Sequence, residues 1–83
     1  MPTYREVLRI NEKYAVDNFK EDSAVKILLL HFSKMESSEL LMKIDEEMPT
    51  EIYDEFLFGV DKYIVRNIPV QHITGYEYFF GHK

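Results

Sequence analysis

The chain contains no cysteine. Disulfides, thiol nucleophiles and cysteine-based metal sites are excluded, and the core must hold by packing alone. This composition suits a reducing compartment, and we expect a cytoplasmic protein. Glycine and proline occur three times each. Gly59, Gly75 and Gly81 are too far apart to form a phosphate-cradling loop. No apolar run approaches the roughly 20 residues of a membrane span. Arg5, Glu6 and Arg9 interrupt the N-terminal apolar residues that a signal peptide would need. The three histidines, His31, His72 and His82, have no partner at a metal-ligand spacing such as His-x-x-x-His. Ser33, Ser37 and Ser38 lack a nucleophile-elbow context. No acidic residue falls in an apolar stretch where desolvation would strongly raise its pKa. We expect no catalytic, cofactor-binding or metal-binding residue in this chain, and no membrane partner.

What is present is 83 residues, 46% apolar and 14% aromatic, with a net charge of −5. That is enough apolar content for one small packed domain. Its core stability should be about 3–5 kcal/mol. The charge is unevenly spread. Residues 36–61 hold nine acidic side chains and one basic one, Lys43. The segments on either side carry a slight basic excess. The acidic middle is either a solvated face or a surface for a basic partner. It disfavours direct nucleic-acid binding, including a helix-turn-helix reading, because such affinity rests on neutralising phosphates.

Four helices are legible in order. In 3–18, Tyr4, Val7, Leu8, Tyr14 and Ala15 share one face, which Asn11 interrupts. Thr3 is a suitable cap, and Asp17-Asn18 suits a helix end. In 22–34, Ala24, Val25, Ile27, Leu28, Leu29, Leu30 and Phe32 are apolar almost all round, so this helix should be central. Leu28, Leu29 and Phe32 should be its most buried side chains, with Asp22 or Ser23 as cap. In 37–46, Leu40, Leu41 and Ile44 form the apolar side, and Ser37 or Ser38 is the expected cap. In 50–67, Tyr53, Phe56, Leu57, Val60 and Ile64 form a stripe behind a Thr50 cap. Gly59 within it would cost roughly 1 kcal/mol relative to alanine, which close helix–helix contact would explain.

The pattern changes at Pro69. Proline disfavours helical dihedrals at Ile68, so the fourth helix should end near Asn67. Pro69 to Ile73 can form one short turn, stopped by Gly75. The aromatic run 76–80 favours strand. A strand needs a partner, and no upstream segment supplies one. We expect a small all-α bundle of four to five helices over 1–68. Over 69–83 we expect a short turn and the first strand of an interrupted β-hairpin, whose partner strand lies beyond Lys83.

Residues 66–81 also carry a resemblance. Pro69, Val70, Gln71, Ile73, Gly75, Phe79, Phe80 and Gly81 match the junction sequence of the HemK/PrmC family, the glutamine methyltransferases of peptide chain release factors. Asp22-Ser23-Ala24 followed by Leu28-Leu29-Leu30-His31 is similar to the family's second helix. His72 stands where the family usually has tyrosine, and Tyr78 where an acidic residue is common. The arginine-rich end of the preceding helix is reduced to Arg66.

The resemblance implies an N-terminal recognition domain joined by a β-hairpin to a downstream catalytic domain. It implies S-adenosylmethionine as cofactor of the parent protein, none in this fragment, and a class-1 release factor as partner. The family's Asn-Pro-Pro-Tyr motif and cofactor-binding glycine loop are absent here. Candidate interdomain or partner contacts are Arg66, Gln71, His72, Thr74, Tyr76, Phe79 and Phe80. The alternative function is a stand-alone helical adaptor between proteins.

Overall fold

The computed structural model describes residues 2–75. Helix α1 (Tyr4–Asp17) starts at a capping box. The Glu6 N–H donates to the Thr3 hydroxyl at 3.2 Å, and the Thr3 N–H donates to the Glu6 carboxylate at 2.9 Å. Its buried stripe is Tyr4, Val7, Asn11 and Ala15. Asn11 does not break the apolar face as the pattern suggests. Its side-chain amide donates to the Val7 carbonyl at 2.8 Å, so it is buried with its donor satisfied. Tyr14, expected on the core face, is exposed. The helix ends at Asp17 with Asn18 as C-cap. Phe19 follows in the left-handed region at φ 64, and the N–H groups of Phe19 and Lys20 bond the carbonyls of Val16 and Ala15. Glycine usually occupies such a position; here it holds a phenylalanine that is 98% exposed.

Helix α2 (Asp22–Ser33) is the centre of the bundle and touches α1, α4 and the last helix. Val25, Leu28 and Leu29 are fully buried. Phe32 is only half-buried, contrary to expectation, because its ring lies at the open edge of the seam with α4. Neither Asp22 nor Ser23 caps the helix; the N-cap is Glu21 and makes no side-chain cap bond. A tertiary contact stands in its place. The Tyr63 hydroxyl accepts from the Glu21 N–H at 3.2 Å and donates to the Glu21 carbonyl at 3.4 Å.

Helix α3 (Ser37–Met42) is shorter than the 37–46 that periodicity suggests, and Glu36 rather than a serine is its N-cap. The cause lies in the chain's first turn. The N–H groups of Tyr4 and Arg5, unsatisfied within α1, take the carbonyls of Glu46 and Ile44 at 3.1 and 2.8 Å. Those carbonyls leave the helical direction to serve α1. Residues 44–48 then run beside the N-terminus, with a Thr3–Glu47 bridge and a Met48 N–H to Pro2 carbonyl bond. Met48 is fully buried beneath this crossing. Leu40 alone of α3 is buried, while Leu41 is 73% and Met42 84% exposed.

Helix α4 (Thr50–Ile64) has Pro49 as N-cap, so Thr50 is its first residue and not its cap. Phe56, Gly59, Val60 and Ile64 are buried, with Tyr53 and Leu57 half-buried beside them. Asn67 takes φ 58 and turns the chain away before Pro69. Helix α5 (Val70–Thr74) follows with Pro69 as N-cap and packs on α2 and α4. Gly75 ends it at φ 86.

The described residues are mostly helical, with five helices and no sheet. The strand expected over 76–80, and the β-hairpin it would begin, lie outside the described residues. Among the described residues, no helix is long and apolar enough to cross a membrane.

Candidate functional site

Two regions are candidates for a site: the junction around α5 and a groove beside α1. At the junction, Pro69 disfavours continuation of α4, and the chain re-enters helix one residue later. Arg66, Gln71 and His72 are exposed there. Thr74 is buried, and its hydroxyl lies 3.3 Å from the Val70 carbonyl and 3.2 Å from the Gly75 carbonyl. Val70 and Ile73 pack against the core. The junction is thus a short helix with an apolar inner side and a polar outer one. Tyr76, Phe79 and Phe80 lie outside the described residues.

The groove is a cavity of about 350 Å³ bounded by α1, α2 and α3. Leu8, Leu40, Leu41 and Ile44 supply its apolar lining. Arg5, Arg9, Glu12 and Lys26 line it with charge. Arg5 is paired to Asp45 at 2.8 Å; this bond holds the Asp45 carboxyl below its ordinary range and raises the Arg5 guanidinium. Partial burial pushes the Glu12 carboxyl upward, and the nearby Asp22 adds to that; Lys26 and Arg9 pull the other way. Burial likewise raises the Tyr4 phenol. The sequence alone does not disclose this groove. Arg9, Glu12 and Lys26 read as separate solvated positions, and Leu41 as core. The available signal is the apolar triplet Leu40-Leu41-Met42, which a six-residue helix cannot bury on one side.

A second cleft, of about 400 Å³, lies between α2 and α4 and is lined by His31, Phe32, Lys34, Glu55 and Phe58. His31 packs edge-on against Phe32, with ring centroids 4.8 Å apart. Lys62 sits over the Phe58 ring at 4.5 Å. Among the described residues, no three histidine, cysteine or carboxylate side chains gather in a way that could hold a metal ion.

Comparison with known proteins gives these two regions a context. Residues 9–75 match the model of the PrmC N-terminal domain. The chain is 33% identical over 76 residues to a release factor glutamine methyltransferase of Bacillus cereus, covering 92% of this chain and 26% of that enzyme. It is 31% identical over 83 residues to the enzyme of the same name from Bacillus subtilis, covering all of this chain and 28% of that protein. A third, from Bacillus anthracis, is 32% identical over 76 residues, with 92% and 26% covered. The chain thus spans about a quarter of the length of the curated relatives it matches. No solved structure matches it at a significant level. The family match runs from the middle of α1 to the glycine that closes α5, taking in the whole of α2, α3 and α4, and on this extent the chain belongs to the PrmC N-terminal domain family.

Proposed function

We propose that this chain is the N-terminal, substrate-recognising part of a release factor glutamine methyltransferase. The observation that carries the reading is the match of residues 9–75 to the PrmC N-terminal domain, in a chain that spans about a quarter of each matched enzyme. The parent protein transfers a methyl group from S-adenosylmethionine to the side-chain amide of the glutamine in a release factor's Gly-Gly-Gln motif. The cofactor and the reacting groups belong to a downstream catalytic domain. The helical chain holds the large protein substrate so that the glutamine reaches the methyl donor, a positioning role that lowers the entropic part of the barrier. Its working place is the cytoplasm, where release factors act.

Within this reading the junction faces other parts of the complex. Arg66, Gln71 and His72, exposed around α5, contact the downstream domain or the release factor. Thr74 supports them from below through its bonds to the backbone. Tyr76, Phe79 and Phe80 are further candidate contacts from the sequence alone. The test is calorimetric titration of this chain with the class-1 release factor encoded by the same genome. Saturable binding supports the reading. No binding at high micromolar concentration overturns an independent recognition role.

A further inference from the structure

Phe19 stands where the fold has no use for its ring. Its backbone lies in the left-handed region at φ 64, which glycine takes freely and phenylalanine only at a steric cost. Its side chain is 98% exposed. The turn does not need that side chain, because the main chain closes it: the N–H groups of Phe19 and Lys20 bond the carbonyls of Val16 and Ala15. The turn is nevertheless tied down. The Tyr63 hydroxyl accepts from the Glu21 N–H and donates to the Glu21 carbonyl, and the Lys20 ammonium lies 5.6 Å from the centre of the Tyr63 ring. A large apolar side chain is thus displayed on a fixed turn, with little ordering left to do on contact. Val16, one turn earlier on α1, and Val65, the C-cap of α4, are exposed as well.

Tyr63 belongs to the last turn of α4, and Asn67 and Pro69 lead the chain from there into α5. The displayed ring is therefore at the end of the bundle where the chain leaves α4 for the junction. We propose that Phe19 is the anchor by which this helical domain docks against the downstream catalytic domain of its own polypeptide, with the ring seated in an apolar recess of that domain and Val16 and Val65 at the rim. This rests on the reading proposed above, in which such a domain follows the junction.

Magnitudes choose the occupant. Burying one phenyl ring favours a contact by about 10- to 100-fold. Two freely diffusing bodies lose at least about a thousandfold in freedom of motion when they associate. One ring flanked by two valines is too small to hold a release factor or a second copy of this chain by itself. A domain that continues past Gly75 has most of that freedom removed already by the covalent join. The burial of the ring then counts nearly in full, and the docked orientation exceeds the undocked one by about tenfold or more.

Hydroxyl-radical footprinting read by mass spectrometry tests this, because it reports the accessibility of single side chains. It is run on the 83-residue chain and on the parent protein. Phe19 should be modified about tenfold more slowly in the parent protein, while Leu41, exposed on α3, should react alike in both. Phe19→Gly in the parent protein should return Val16 and Val65 to the rates they show in the chain alone. In the chain itself Phe19→Gly should leave Tm at or above its original value, since glycine suits the left-handed position. A fall of more than about 4 °C would show that the ring serves the fold, and the proposal is overturned. Equal modification of Phe19 in chain and parent protein overturns it too, and so does continued protection of both valines in the variant. If Phe19 of the chain alone becomes protected on adding a release factor, or as the chain is concentrated, the occupant is that partner or a second copy and the proposal falls. None of these results touches the recognition role, which the release-factor titration tests separately. If the gene encodes no downstream domain, the reading above falls and this proposal with it.

Discussion

Replacing Gly59 by alanine adds one methyl group where α4 meets the Phe32 ring of α2. A β-carbon built at position 59 falls inside contact range of Phe32 Cε2 and 2.9 Å from Phe32 Cζ. Two opposing effects follow. Alanine is preferred over glycine in a helix interior by about 1 kcal/mol. Forcing a ring out of a packed seam costs about 1–3 kcal/mol. The ring has somewhere to go, because the cleft beyond it is open between His31 and Phe58. We expect a value of about 2 kcal/mol, the middle of that range, so Gly59→Ala destabilises by about 1 kcal/mol net, which lowers Tm by about 4–8 °C in a domain of this size.

The mechanism is separable from the magnitude. Phe32→Leu removes the ring atoms concerned while keeping most of the apolar volume. In that background Gly59→Ala should stabilise by about 1 kcal/mol, because only the helix preference remains. The coupling between the two sites is then about 2 kcal/mol. Urea unfolding of the four proteins, followed by circular dichroism, measures it. If Gly59→Ala stabilises equally in both backgrounds, the close approach of α2 and α4 is refuted.

Three further outcomes are expected. Leu28→Ala, at a fully buried position of the central helix, should cost about 2–5 kcal/mol in urea unfolding, and a loss below about 1 kcal/mol would place Leu28 outside the core. Thr3→Ala removes the hydroxyl half of the α1 capping box and should lower stability by about 1 kcal/mol; an unchanged midpoint would show that the box contributes nothing. Glu12→Gln should raise Tm near neutral pH. The folded-state pKa of Glu12 is raised, so the stability it contributes is present when it is protonated and is lost as pH rises through the folded value. The difference from the parent chain should vanish on acidification below the ordinary glutamate range, about pH 4. A Tm difference of the opposite sign near neutrality would contradict the burial of this carboxyl.

Much of the fold was legible because the helices follow local rules. Apolar spacing located α1, α2 and α4, Thr3 is the cap it promised to be, and Pro69 with Gly75 bracketed α5. The failures share a physical cause, which is competition from distant residues. Ser37 and Ser38 had the chemistry of caps, yet Glu36 takes the N-cap position. Asp22 and Ser23 yielded to Tyr63, which lies 42 residues from Glu21 and binds its backbone. The length of α3 was set by α1, whose first N–H groups take the carbonyls of Ile44 and Glu46. The groove was the least legible feature, since it joins side chains from three helices and one ion pair 40 residues apart. The junction was easier to place, because a proline and a glycine mark it in the sequence itself.

We propose above that these helices recognise a release factor for a methyltransferase that does its chemistry elsewhere. Steady-state methylation by the parent protein, with and without residues 1–75, tests it most directly. Two substrates are needed: an intact release factor and a short Gly-Gly-Gln peptide. The account predicts that removal raises KM for the release factor and leaves kcat/KM for the peptide unchanged. Equal loss with both substrates would mean that the helices serve the catalytic domain itself, and no loss with either would mean that recognition lies elsewhere.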